Sequence, residues 1–277
     1  MAKKKISPIN EDFDLKLFVT IAQKNMLWFF LFMISSMVIG LAILRYTAPI
    51  FESSSIIKIA DENNAQNVLG ITGADRLANV SNQIAGDIEL IRSKVIVERA
   101  IKHLPLFVSY YSKGAVLVYE LYKQNPFTVE CIIRDSSIYH TPIFVDFKSV
   151  NSCELNYTSP KTGEKISSAH EPGKWFSLPE GDFRISITDY KEIKETQKEL
   201  NKDAYYFEFN RISEVSNQII RDLSVTVLNP DAKTVLIKLK DKNNKKAADI
   251  VNGIAVEFNK YDVEKNSEVA NKILDFI

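Results

Sequence analysis

This sequence has little of what most enzymes and disulfide-framed domains depend on. Two cysteines, Cys131 and Cys153, in 277 residues are too few to frame a fold. Whether they pair with each other the sequence leaves open. Three histidines, His103, His140 and His170, stand far apart, so no His/Cys cluster has metal-ligand spacing. There is no G-x-S-x-G nucleophile elbow and no G-x-x-x-x-G-K-[ST] phosphate loop. "TGEK" at 162–165 offers a glycine and a lysine but lacks the upstream glycine and the strand-to-helix setting. No pair of acids stands out as a catalytic dyad. The chain reads as a non-enzyme without a cofactor or a metal. An excess of either charge is missing too, since 35 Lys and Arg balance 35 Asp and Glu. That argues against a basic field for nucleic acid and against an acidic, disordered composition.

What is present starts with "NMLWFFLFMISSMVIGLAIL" at 25–44. No residue from Met26 to Leu44 is charged. A helix of that length rises roughly 28 Å, close to the hydrocarbon thickness of a bilayer. Its Leu, Ile, Phe and Val residues favour insertion by a few kcal/mol, even against Ser35, Ser36 and Gly40. Three fates are open to such a run. A buried core helix would need surrounding chain, and the short tail before it supplies none. A cleaved signal would have a shorter apolar region and a small-residue cleavage site. Here Arg45 follows directly, and Glu11, Asp12 and Asp14 precede. An uncleaved anchor in the lipid bilayer fits best, with Trp28, Phe29 and Phe30 towards one interface and Arg45 and Tyr46 at the other. Lys3, Lys4, Lys5, Lys16 and Lys24 lie before the span and Arg45 alone follows closely, so the N-terminus is expected in the cytoplasm. About 230 residues then lie outside, enough for one large domain or two small ones.

Pro49 bars continuation of the anchor helix, and "FESSSIIKIAD" reads as a strand. Residues 61–82 are rich in Asn, Asp and Gly and read as loop with a short helix. "QIAGDIELIRSKVIVERAIKHLP" places Ile84, Ile88, Ile91, Val95, Ile101 and Leu104 near one helical face, and Pro105 stops it. From 107 to about 190 come short aromatic and β-branched segments such as "AVLVYELY", "FTVECII", "IFVDFK" and "FRISIT". Turn signals separate them, which suggests a small sandwich or barrel-like module. The charge run "DYKEIKETQKELNKD" reads as a solvated face or a hairpin tip. A short helix, "RISEVSNQIIRDL", then two strands, "SVTVL" and "TVLIKLK", suggest an α+β layer that returns to pair with the strand after the membrane. A last helix begins near Asn244. Ala247, Val251, Ile254, Phe258 and Tyr261 form its stripe, which Val269, Ile273 and Phe276 resume. It ends on "ILDFI" without a cap, so the chain reads as a piece whose helix would continue.

Four stretches in this order resemble the Wzz-type chain-length determinants, the polysaccharide co-polymerases. "DFDLKLFVTIAQKNMLWFF" is similar to the family's lead into its first membrane helix, and "YTAPIFESSSIIKI" to the exit into a strand. "AGDIELIRSKVIVERAIKHL" resembles a family helix through Asp87, Ile88, Glu89, Ser93 and Val95. "DAKTVLIKLKDKNNKKAADIVNGIAVEFNKYDVEKN" resembles its later strand and long protruding helix. "LFVSYY" and "ELYKQNPF" look like the variant fused to cytoplasmic tyrosine autokinases, in which a second membrane helix and a P-loop kinase domain follow.

The resemblance implies a scaffold in a bacterial inner membrane with a periplasmic main domain. It would regulate the chain length and export of a capsule, exopolysaccharide or O-antigen. Its partners would be copies of itself as a homo-oligomer, the polymerase and export machinery, and the growing polysaccharide. The expected division is a tail at 1–24, a transmembrane helix at 25–46, an outer α+β domain at 47–106 and 204–277, and a β-rich insertion at 107–203. A competing reading is a single-pass sensor whose outer domain binds a ligand, recognisable by a histidine kinase or methyl-accepting helix pair downstream. A membrane-fusion adaptor of an export pump is a third, but the Gly-rich lipoyl signature is missing.

Overall fold

The computed structural model describes residues 15–59, 74–114, 116–200 and 204–276, in two units that divide after Thr47. The first unit holds α1 (Leu15–Lys24) and α2 (Met26–Tyr46). Asn25 separates them, its side-chain amide donating to the Ile21 carbonyl at 3.0 Å. No residue of α2 is buried, and apolar side chains cover all its sides. The chain turns extended at Thr47, two residues before Pro49.

The second unit begins with β1 (Phe51–Lys58), then α3 (Ala74–Ile91) and α4 (Lys94–Ile101). The single helix expected over 84–104 is broken. Ser93 leaves helical geometry and its hydroxyl accepts from the Ile96 amide, capping α4. The new start resets the helical phase. Ile91, Ile96, Val97, Ala100 and Ile101 are buried, whereas Val95, expected on the apolar face, is 54% exposed.

Twelve strands appear among the described residues, and the chain is α+β as expected. After β1 they are β2 (Val108–Lys113), β3 (Val118–Glu120), β4 (Phe127–Ile133), β5 (Ile143–Ser149), β6 (Ser152–Thr158) and β7 (Lys165–His170). Then come β8 (Trp175–Leu178), β9 (Gly181–Ile187), β10 (Tyr205–Phe209), β11 (Leu223–Asn229) and β12 (Thr234–Asp241). The remaining helices are α5 (Tyr190–Leu200), α6 (Ile212–Asp222) and α7 (Asn244–Phe276).

One sheet has the order β1-β12-β11, all antiparallel. Its central strand is β12, and β1 joins it from Phe51 opposite Asp241 to Lys58 opposite Thr234. Helix α7 covers this sheet, and α4 packs against α7 and α6. Ala247, Val251, Ile254 and Phe258 are buried as the stripe requires, with Ile250 and Ala255 beside them, and Tyr261 packs at the edge. The side chains of Val269, Ile273 and Phe276 lie outside the described residues. Gly253 lies off that stripe but faces α4, where an added Cβ would come 3.3 Å from the Ala100 carbonyl oxygen.

The β-rich part is a pair of antiparallel sheets. One has six strands, β3-β2-β10-β5-β6-β7, and the other three, β4-β9-β8. They share an aromatic core: Phe127 of β4 meets Phe147 of β5 and Tyr205 of β10 at 5.2 and 5.8 Å, and Phe183 of β9 stacks on Phe209 at 5.6 Å. Gly181 lets β9 approach β4, since a Cβ there would fall 2.5 Å from the Ile132 carbonyl oxygen. Glu180 is buried at the β8–β9 turn, and its carboxylate accepts from Tyr157 at 2.5 Å and Ser159 at 2.9 Å. Strand β10 sits between β2 and β5, so the β-rich part extends to Phe209, past residue 203. The charge run is a helix rather than a hairpin tip. In α5, Ile193 is fully buried in the aromatic core while charged residues face water, and Asp189 accepts from the Glu192 amide at 3.1 Å. Cys131 lies on β4 and Cys153 on β6, both as free thiols, which burial pushes up to about 11.

Candidate functional site

The residues singled out for the membrane all lie on α2 and are exposed. Trp28 is 59% accessible and Tyr46 70%, with Phe29, Phe30 and Arg45 similarly open. Among the described residues α2 is the one helix long and apolar enough to cross a membrane. The histidines are dispersed: His140 contacts Glu214 at 2.6 Å, and His170 stacks on Phe176 at 3.8 Å, where burial lowers its basicity. Among the described residues no group of three or more His, Cys, Asp and Glu has the arrangement of a metal site.

The second unit has a feature that the sequence did not expose. A cleft of about 720 Å³ opens between the six-stranded sheet and the β12–α6 side of the smaller sheet. Its volume falls in the range of ligand sites. Tyr111 and Tyr206 form part of its wall on β2 and β10, with Tyr119 and Glu120 on β3. Val215, Gln218 and Asp222 of α6 face them. Ala48, Pro49 and Ile50 close one side, directly before β1.

Local chemistry holds this cleft in shape. Asn243 caps α7 by accepting from the Lys246 amide at 3.1 Å, and its side-chain amide donates to the Glu120 carbonyl at 2.9 Å. Lys246 then reaches both carboxylate oxygens of Glu120, at 3.0 and 2.9 Å, with both side chains largely buried. Asp241 lies 3.6 Å from the same ammonium. Deeper in, Asn210 donates to the Leu106 carbonyl and to the Ser109 hydroxyl, at 2.9 and 2.8 Å. Burial pushes the Glu208 carboxyl above the usual carboxylate range, and burial raises the Tyr111 and Tyr206 phenols, with Glu208 and Glu120 adding to it. The tyrosine pairs Tyr110-Tyr111 and Tyr205-Tyr206 in "LFVSYY" and "YYFEF", which put a ring on each face of a strand, carried a signal of these walls. Nothing local indicated that β10 pairs with β2 a hundred residues earlier.

No curated protein matches the chain. Two crystal forms of FlgL from Xanthomonas campestris align with parts of it, each at 11% identity and a TM-score of 0.23. One alignment covers 59% of this chain and 48% of that one, the other 63% and 56%. This chain thus spans about half the length of those structures, and a similarity that low carries no argument. A family model does match: residues 11–104 fit the Wzz family, described as chain length determinant protein. That segment takes in α1, α2, β1, α3 and α4. The match covers the N-terminal third of this chain, which is in that segment similar to the Wzz chain length determinant family.

Proposed function

We propose that the chain is a membrane-anchored regulator of the length and export of a surface polysaccharide. The observation that carries this is the family match, because it includes both the apolar helix and the first elements of the second unit. Members of that family regulate polysaccharide length without an enzymatic step. In this reading α2 spans the bacterial inner membrane, with Trp28, Phe29 and Phe30 towards the cytoplasmic interface and Arg45 and Tyr46 at the periplasmic one. The exposure of every side of α2 supports it, since a helix apolar all round needs either a protein core or lipid. The outer domain comprises the β1-β12-β11 layer with α3, α4, α6 and α7, and the β-rich part from β2 to β10 is its insertion.

Length control without a catalytic group requires a geometric or stoichiometric device. A homo-oligomer that gathers polymerase, export machinery and growing polysaccharide is such a device. Cells lacking the protein should lose the modal length of their surface polysaccharide and regain it on complementation, read by gel electrophoresis of the extracted polymer. An unchanged distribution would refute the function. A reporter active only in an oxidising compartment, fused after residue 60, should be active. If it stays silent, the topology is wrong.

A further inference from the structure

The face of the six-stranded sheet that is turned away from the aromatic core carries one row of side chains across every strand. In strand order the register sets Glu120, Tyr111, Tyr206, Phe144, Asn156 and Ser167 opposite one another. Their strand neighbours Tyr205, Phe207, Val145, Leu155 and Tyr157 point into the core, so alternation places the row outside. Tyr111 stacks on Tyr206 at 4.7 Å, and Tyr206 meets Phe144 at 5.3 Å. Six strands at their usual spacing make the row about 24 Å long. One end lies in the 720 Å³ cleft. The other lies in a groove of about 400 Å³ that includes Phe144, Asn156, Thr158, Lys165 and Ser167. The aromatic rings therefore join two hollows into one strip.

We propose that this strip binds a linear, uncharged chain of pyranose rings. The proposal rests on the polysaccharide reading above and names where, and on which kind of segment, this protein touches the polymer. Length favours a chain over a single sugar, because one ring would occupy a small part of the row. Charge favours a neutral ligand: in the cleft Glu120, Glu208, Asp222 and Asp241 face Lys240, Lys242 and Lys246, four acids against three bases. Aromatic rings attract C–H edges through their negative faces and keep an apolar surface against water. A pyranose offers C–H groups on its faces and hydroxyls around its rim. Those hydroxyls are donors for the Glu208 carboxylate, which is half-buried on the same face of β10 as Tyr206, and partners for Asn156, Thr158 and Ser167. An extended peptide is a poorer occupant, because strand addition needs an open sheet edge and this strip crosses the face of a sheet.

The test uses the full chain in nanodiscs, titrated calorimetrically with cellohexaose and with maltohexaose. At least one hexamer should bind. Tyr206→Ala and Phe144→Ala should each weaken it roughly tenfold, and Glu208→Gln less. Trp175→Ala, an exposed aromatic on the other sheet, should bind like the parent. A thermal scan of each variant separates lost binding from lost folding, and two separate ring truncations guard against one failing to fold. No binding of either hexamer at roughly 10 mM would overturn the site, as would equal loss in Trp175→Ala. So would an oligomer that Tyr206→Ala dissolves while the parent binds no hexamer, because the strip would then be a subunit interface. The length assay in cells tells the two ideas apart. Length control without hexamer binding removes this site alone, and hexamer binding without length control removes the proposed function alone.

Discussion

The core beneath β1, β12 and β11 is aliphatic: Ile57, Ile91, Ile96, Val97, Ile101, Val235, Ile237, Ile250 and Ile254 dominate it, with Phe258 at one side. The core between the other two sheets is aromatic, with Phe127, Phe147, Phe183, Tyr205, Phe207 and Phe209 at its centre. Geometry accounts for the difference. In the first, α7 lies on the sheet and α4 packs against α7, and Ala100 meets Gly253 where the two helices cross. Bulk there would push them apart. In the second, two sheets must be bridged across about 10 Å, a gap that rings fill with few side chains. The aliphatic core also draws on both ends of the second unit, whereas the aromatic one is built almost entirely from one continuous stretch, residues 108–209.

The strongest way to break one core and spare the other is a buried charge. Ile91→Asp places an unpaired carboxylate at a fully buried position of the aliphatic core. Its cost of several kcal/mol rivals the whole stability of a domain. Thermal denaturation should show the helix–sheet layer lost. Arg92→Asp, one residue on and exposed, should shift the midpoint little. Equal midpoints for the two variants would contradict the burial.

Next in size is Phe207→Ala in the aromatic core, at about 3–5 kcal/mol. Ile237→Val in the aliphatic core removes one methylene and should cost about 0.5–1.5 kcal/mol. Denaturant titration measures both. If Phe207→Ala cost no more than Ile237→Val, the rings would not be what holds the two sheets together.

The helix crossing offers a finer probe. Gly253→Ala adds one Cβ at 3.3 Å from the Ala100 oxygen but gains about 1 kcal/mol of helix propensity, so it should be nearly neutral. Gly253→Leu adds bulk that the crossing cannot take and should destabilise by about 1–3 kcal/mol. Melting curves that rank Leu above Ala would show that the helices can separate without loss.

The two cores also differ in how far the sequence revealed them. The stripe of α7 was legible because 3.6-residue periodicity persists from Ala247 to Phe258. The strands of the aromatic core were legible as short alternating segments. The break at Ser93 was not, because a serine inside an apolar pattern reads equally as an exposed helical residue or as a cap. The charged residues of α5 form the solvated face that the sequence suggested, but its helical state was not legible, because among its described side chains only Ile193 is fully buried, too weak a signal against so many charges. The cleft was illegible for another reason. Its walls come from separate segments, near residues 48–50, 106–120, 206–210, 215–222 and 239–246, and no local pattern states which of them meet.

The smallest expected effect is one of sign. Asp249 of α7 accepts from Lys123 at 2.5 Å and from Tyr122 at 3.0 Å, and the lysine above all holds its carboxyl below the ordinary carboxylate range. Glu208 of β10 is pushed the other way by burial. A carboxyl lowered by folding contributes stability above its unfolded pKa, and that contribution is lost as pH falls through the folded value. A carboxyl raised by folding does the reverse: its contribution is present below the unfolded pKa and is lost as pH rises through the folded value. Asp249→Asn should therefore lower the midpoint at neutral pH, by about 0.2–1 kcal/mol for a pair this exposed, and the gap should close in acid. Glu208→Gln should raise the midpoint at neutral pH, and that gap too should close in acid. Melting curves between about pH 3 and pH 8 decide it. Parallel profiles for the two variants would mean that Glu208 is solvated like any surface carboxylate, and the cleft would then be wetter than its walls suggest.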